Sequence, residues 1–384
     1  MTFSQALQVR AEPCPNATAG SPPTLNLVLS AFEVTREQLA AALGGEPPYR
    51  LEQVWRGLWE RGALPGEMTE LPSRLRARLS EVLVPALAKV TTASSLDGRT
   101  TKWLWQLDDG AQIETVLMRY HDRATVCISS QAGCAMACSF CATGQGGFRR
   151  HLSSGEIVEQ VVAARAAAAP QRLSNVVFMG MGEPLSNYER TWGAVRQVHD
   201  LLGISARHIT LSTVGVVPGI RRLAGEALPV NLAVSLHAAR DELRDKVVPL
   251  NKRYPLSVLM GACAEYVAAK NRRLSFEWAL IDGLNDTARD AAELAELALP
   301  LRAHVNLIPL NPTPGFIGRG ARPAKVAAFR GTLEERGVNA TVRANRGTDI
   351  DAACGQLAAR ARPGSVEGLP GRGHRRGATG ATLK

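Results

Sequence analysis

What the sequence lacks narrows the field first. No uninterrupted apolar run is long enough to cross a bilayer. The opening residues, MTFSQALQVRAEPCPN, do not have the charged-then-apolar layout of a signal peptide. A cytoplasmic chain with no membrane partner is therefore expected. Cysteine is sparse and odd in number, seven in 384 residues, which argues against a disulfide framework and for reduced thiols available to metal or chemistry. Hydrophobic content of 45% and charged content of 21% are ordinary for a globular protein. The length allows one large or two modest domains. The net charge of +10 suits a polyanionic partner. Residues 360–384 alone hold six Lys/Arg against one Glu, so about half of that excess is a basic tail that has a solvated role by default.

The chain divides by composition and period. Residues 1–30, rich in Pro, Ala, Ser and Thr, read as a flexible lead. Over residues 31–98 apolar positions recur at helical spacing, with Leu51, Val54, Trp55, Leu58 and Trp59 on one face. This predicts a small helical accessory module whose arginines, from Arg50 to Arg78, either face water or grip RNA. In residues 99–120 Trp103, Trp105 and Leu107 alternate, Asp109-Gly110 supplies turn chemistry, and Ile113 to Leu117 form a second run. That pattern predicts a β-hairpin. From residue 121 to 360, short apolar strands (ATVCIS, NVVFM, HITLS, VNLAVS, LSFEWAL, HVNLIPL) alternate with Ala- and Glu-rich helical segments. Six βα units predict an α/β fold with a parallel sheet, a partial barrel or a doubly wound one. Residues 361–384 read as a disordered basic tail.

Polar clusters fall at the ends of those strands, where α/β folds put their sites. The sharpest is CAMACSFC, which sets Cys134, Cys138 and Cys141 in a C-x3-C-x2-C pattern with Phe140 before the last thiol. Structural zinc closes with four ligands, usually as two cysteine pairs. No second pair lies near, although His151 or Cys127 is available to complete such a site. A zinc-bearing RNA-binding protein is that alternative. Three thiolates instead suit a [4Fe–4S] cluster with one iron left open, and the pattern is the signature of radical S-adenosylmethionine enzymes.

Other residues take either of two roles. Gly180, Gly182 and Glu183 in MGMGEP allow close backbone approach and offer a carboxylate to an ammonium, or form a simple turn. Ser212, Ser235, His237 and Asn311 stand at matching strand ends, each alone an ordinary loop polar group, together a nucleoside pocket. Cys127 reads by default as a small buried hydrophobe in its strand. Cys354, in RGTDIDAACGQL, has a polar setting unlike a core thiol. Glu114 interrupts an apolar strand and by default faces solvent. Cys14 and Cys263 receive no role.

Taken together, CISSQAGCAMACSFCATGQGGF, GMGEPLSNY, ITLSTVGVVPGI, AVSLHAA, LIPLNPTPG and RGTDIDAACGQL resemble the RlmN family over residues 31–360. The resemblance implies a partial (βα)6 radical-SAM barrel with a helical accessory domain and a β-hairpin extension. It implies methylation of adenine C2 in 23S rRNA and tRNA, with two S-adenosylmethionine molecules per turnover and an electron donor such as flavodoxin, acting as a monomer. Cys134, Cys138 and Cys141 would hold the cluster. Gly182, Glu183, Ser212, Ser235, Leu236, His237 and Asn311 would bind S-adenosylmethionine. Cys354 would carry a methyl group, Cys127 would form a transient disulfide with it, and Glu114 would accept a proton. A Cfr-like enzyme, acting at adenine C8, uses the same cysteines and is the near alternative.

Overall fold

The computed structural model describes residues 28–343 and 346–358. The expected basic tail, and the expected lead apart from residues 28–30, lie outside the described residues.

The accessory module forms because its apolar stripe has helical period. Helices α1 (Arg36–Ala42), α2 (Tyr49–Arg56) and α3 (Ser73–Val82) surround Leu39, Val54, Leu58, Trp59, Leu75 and Leu79, all buried. Helix α1 starts at a capping box in which the Thr35 hydroxyl accepts from Gln38 N and the Gln38 side chain accepts from Thr35 N. Phe32 meets Trp59 edge to face at 5.8 Å. Two short parallel strands, β1 (Leu29–Ser30) and β2 (Leu83–Val84), tie the module's two ends together. The module is shorter than its sequence period implied. Its helices stop at Val82, and residues 88–94, AKVTTAS, form a strand, as their β-branched content favours.

That strand, β3 (Ala88–Ser94), extends the expected hairpin of β4 (Thr100–Gln106) and β5 (Gln112–Arg119) into a three-stranded antiparallel meander. At the hairpin turn Asp109 Oδ1 accepts from Ala111 N at 3.0 Å and Gly110 takes φ +76°. Antiparallel pairing of β5 with β6 (Ala124–Cys127) then joins the meander to the core.

After β6 a small antiparallel pair, β7 (Gln131–Gly133) and β8 (Phe148–His151), brackets the cysteine motif and the single turn α4 (Ala142–Gln145). The βα repeat follows as α5 (Ser154–Ala168), β9 (Leu173–Phe178), α6 (Tyr188–Asp200), β10 (Ile209–Thr213), α7 (Val217–Gly225), β11 (Asn231–Ser235), α8 (Asp241–Val247), α9 (Leu256–Lys270), β12 (Leu274–Leu280), α10 (Ala288–Ala298), β13 (His304–Pro309), α11 (Pro323–Glu335) and β14 (Ala340–Val342). The sheet runs β14-β13-β12-β11-β10-β9-β6-β5-β4-β3, parallel from β14 to β6. The fold is thus α/β, a partial (βα)6 barrel, with β14 added as a seventh parallel strand. The segment 346–358 lies against the meander. Arg346 donates to Arg119 O at 3.3 Å, and Asp349 accepts from Leu96 N at 2.8 Å. No helix among the described residues is long and apolar enough to cross a membrane.

Gln160 on α5 locks the base of the cysteine motif. Its side-chain oxygen accepts from Ser129 N and from the Thr115 hydroxyl, both at 2.8 Å, and its amide donates to Ser129 O at 2.9 Å. Gln160→Leu leaves both Ser129 backbone groups buried without partners, so a loss of about 2–3 kcal/mol in urea unfolding is expected. A change below about 0.5 kcal/mol would place the stability of this region elsewhere.

Candidate active site

The strand ends surround a cavity of about 150 Å³. Cys134, Cys138 and Cys141 line one side of it, and Gly182, Glu183, Ser212 and Ser235 line the other, with His237 and Asn311 completing the wall. The motif loop is held by backbone bonds. Cys134 N donates to Gly147 O at 2.8 Å, Cys141 N to Cys138 O at 3.2 Å, and Ser139 N to Val247 O at 3.2 Å. Phe140 is buried and meets the His237 ring edge to face at 4.7 Å, so the aromatic residue of the motif fastens the loop to the far side of the cavity.

Three thiols are thereby presented to one space. A zinc ion needs four ligands on one centre, whereas a cluster takes each of three thiolates on a different iron, and three thiols in the wall of one cavity suit the cluster. His151 is not in the wall of this cavity; its Nδ1 pairs with Gln131 Nε2 at 3.0 Å and its ring meets Phe148 edge to face. Burial pushes the Cys134 thiol up to about 12 and raises Cys138 further, so the metal must displace these protons on binding.

The MGMGEP loop comes close to the cavity floor for a steric reason. A side chain at Gly180 would strike Ile128 O at 2.6 Å, and Gly182, at φ +103°, would place one 2.5 Å from Gln131. Glu183 is fully enclosed. Its two oxygens accept from Leu185 N at 3.0 Å and Val214 N at 2.9 Å, yet burial still pushes its carboxyl up to about 7. It is a buried carboxylate in need of a cation, which a ligand ammonium would supply. His237 is neutral, lowered to about 3 by burial and then by Arg244. Its Nδ1 accepts from Ala279 N at 3.0 Å, which assigns the ring proton to Nε2. Leu236, by contrast, does not line the cavity. Its side chain is buried, its N–H donates to Glu277 O and its carbonyl accepts from Arg244, so it shapes the strand end instead.

Cys354 is the junction of the site. It lines the first cavity and also a second one, of about 70 Å³, that has Cys127 in its wall. Its side chain is open to these spaces although the position lies deep in the fold. Three bonds hold its turn there: Asn311 Nδ2 donates to Cys354 O at 3.1 Å, Ala142 N to Gly355 O at 2.8 Å, and the Thr143 hydroxyl to Leu357 O at 2.6 Å. Burial raises the Cys354 thiol, and the Arg343 guanidinium opposes that rise. Burial, with Cys354 beside it, pushes Cys127 up to about 12. Cys127 is thus buried, as its default reading had it, and also shares the wall of the second cavity with Cys354.

Two residues that sequence patterns did not single out belong here. Arg343, just past β14, lines both cavities, and Glu277, inside β12, lines the first and lies 3.5 Å from Arg343. A Glu within the apolar run LSFEWAL was the available signal. Glu114 corrects a default expectation, since it is buried rather than solvent-facing. It lines neither cavity. Its Oε1 pairs with Lys102 at 2.7 Å and its Oε2 accepts from Ala358 N at 2.8 Å. Two accessory-module arginines read as RNA grips are paired, Arg56 with Glu60 and Arg61 with Glu70, and Arg150 next to the motif pairs with Asp109 and Glu156.

This geometry has known counterparts. The Radical SAM superfamily model matches residues 128–298. The "Probable dual-specificity RNA methyltransferase RlmN" of Frankia casuarinae is 50% identical over 384 residues, covering 94% of this chain and 91% of that protein. The "Dual-specificity RNA methyltransferase RlmN 1" of Myxococcus xanthus is 51% identical over 347 residues, covering 88% of this chain and 97% of its own. The crystal structure of a radical SAM methyltransferase from Sphaerobacter thermophilus matches with a TM-score of 0.83 at 48% identity, covering 86% of this chain and 100% of that one.

The Glu183 environment gives a pH test on metal-free protein. A carboxyl held at about 7 in the fold and near 4.5 when unfolded favours the native state below pH 4.5, and that contribution is lost as pH rises through 7. Relative to Glu183→Gln, wild-type stability is expected to fall by about 3 kcal/mol between pH 4.5 and pH 8. Parallel pH profiles for the two proteins would contradict the assignment.

Proposed function

The chain belongs to the RlmN family of radical SAM RNA methyltransferases, and from that membership we propose that it methylates C2 of adenosine in 23S rRNA and tRNA through S-methylated Cys354. The family's cofactors are a [4Fe–4S] cluster and S-adenosylmethionine. Cys134, Cys138 and Cys141 hold the first, and Glu183 with Gly182, Ser212, Ser235, His237 and Asn311 binds the second, with Leu236 shaping the strand end. When bound, the pair supplies a 5′-deoxyadenosyl radical by one-electron cleavage of the sulfonium. A flavodoxin-type protein donates the electron, and the enzyme works as a cytoplasmic monomer.

The remaining steps belong to the chain's own residues. Adenine C2 is an electron-poor sp² carbon, and direct attack on a sulfonium methyl from it is unfavourable. Cys354, as thiolate, takes the methyl of one S-adenosylmethionine by displacement. Arg343 favours that thiolate against the cost of burial. A second S-adenosylmethionine would be consumed as S-methyl Cys354 gives up a hydrogen atom, and its methylene carbon would then bond to C2, with the odd electron of the adduct returned to the cluster. Glu114 takes the C2 proton. The Cys127 thiolate attacks Sγ of Cys354, forming the disulfide as the carbon–sulfur bond breaks, and the freed carbon takes up a proton to complete the methyl group as the base leaves. The adenine must leave its stack to reach the thiol, at a cost of a few kcal/mol.

One observation carries this reading: Cys354 lies between a cavity walled by the three motif cysteines and a cavity walled by Cys127. Its test is anaerobic turnover on an rRNA fragment and on tRNA, with nucleoside digestion of the product. Wild type is expected to yield 2-methyladenosine, and Cys354→Ala to lose at least about a thousandfold in rate. Cys127→Ala is expected to accumulate a covalent enzyme–RNA adduct, visible as a shifted band that RNase digestion trims. Normal methylation by Cys354→Ala, or 8-methyladenosine as product, would overturn the proposal.

A further inference from the structure

The buried ion pair between Lys102 and Glu114 sits oddly in the meander. Leu104 is paired directly with Glu114 across β4 and β5, so Lys102 is its diagonal neighbour on the same face. Both charges are nearly sealed from water, with side-chain exposures of 12% and 2%. Burying such a pair brings little net stability, because desolvation offsets the attraction. Its partners indicate a different use. Lys102 Nζ also donates to Asp351 O at 3.1 Å, and Glu114 Oε2 accepts from Ala358 N at 2.8 Å. Asp351 and Ala358 flank the turn that carries Cys354, about 250 residues along the chain from the pair. The ion pair therefore touches the thiol-bearing turn at both of its ends while contacting neither cavity.

We propose that Lys102 is a positioning residue: its ion pair with Glu114 forms a clasp that fixes both ends of the Cys354 turn and so sets where the thiol points. In the clasped state Glu114 has Lys102 on one oxygen and a backbone N–H on the other. Its turning toward a substrate base requires the Ala358 end of the turn to let go. The clasp itself stands on the hydrogen bonds alone; its consequence for methyl uptake rests on the reading of Cys354 given above.

The test uses the full-length holoenzyme, purified anaerobically, as wild type, Lys102→Met, Lys102→Arg and the double variant Lys102→Met/Glu114→Met. Hydrogen–deuterium exchange of the peptide spanning residues 346–358 is compared with that of β6. The double variant replaces a buried ion pair by two apolar side chains, so its Tm is expected to stay within about 4 °C of wild type. In both Met-bearing variants the loop peptide is expected to exchange about tenfold faster while β6 is unchanged, and Lys102→Arg is expected to restore protection. Methyl uptake on Cys354, followed by peptide mass, should slow about tenfold with the KM for S-adenosylmethionine unaltered. Wild-type protection of the loop in the double variant would overturn the clasp. Faster loop exchange in a protein whose wild type never carries methyl on Cys354 would leave the clasp standing and remove the methyl-carrier reading instead.

Discussion

One short turn, fastened over the open ends of a parallel sheet, is what the rest of the structure serves. The bonds from Asn311 to Cys354 O, from Ala142 to Gly355 O and from Thr143 to Leu357 O draw residues from two distant parts of the chain onto one thiol. Two of the three come from the turn that directly follows the cysteine motif, so the motif loop and the thiol loop position one another. The segment 346–358 reaches the meander, with Arg346 on β5 and Asp349 on the turn before β4.

Burial governs the chemistry at each titratable position. Cys127, Cys134 and Cys138 are all driven toward the neutral thiol by loss of solvent. Thiolates form in such a place only against a compensating charge, and at Cys354 the Arg343 guanidinium opposes the effect of burial. Arg343 is itself steadied by Glu277, which accepts from Asn306 Nδ2 at 2.7 Å. Glu183 shows the same logic with the opposite sign of partner, a carboxyl whose natural complement is a cationic ligand group.

Much of this was legible in the residues. Alternation over TKWLWQ and QIETVLM gave the hairpin, the six apolar runs gave the parallel strands, and strand-end clustering gave the cavity wall. Local period and turn chemistry suffice for such features, since each is decided within ten residues. What escaped was decided over distance. Residues 88–94 fell within the bounds expected for the accessory module and instead pair with β4 as a strand. Glu277 lies in β12 and Arg343 just past β14, and only the sheet register brings them to one thiol. The burial of Glu114 depends on Lys102 and on Ala358, and no pattern around position 114 announces partners so remote. The arginines of the accessory module looked free because their acidic partners stand on neighbouring turns and helices.

The account stands on Cys354 facing Cys127 within the folded protein. Mild thiol oxidation of the native, cluster-loaded enzyme, followed by digestion under acid and mass mapping, tests that placement most directly. A Cys127–Cys354 disulfide formed in high yield, with Cys263 left unmodified and the cluster's colour retained, is the expected result. Recovery of Cys354 as a free thiol, or joined only to another molecule, while the fold remains intact would contradict it.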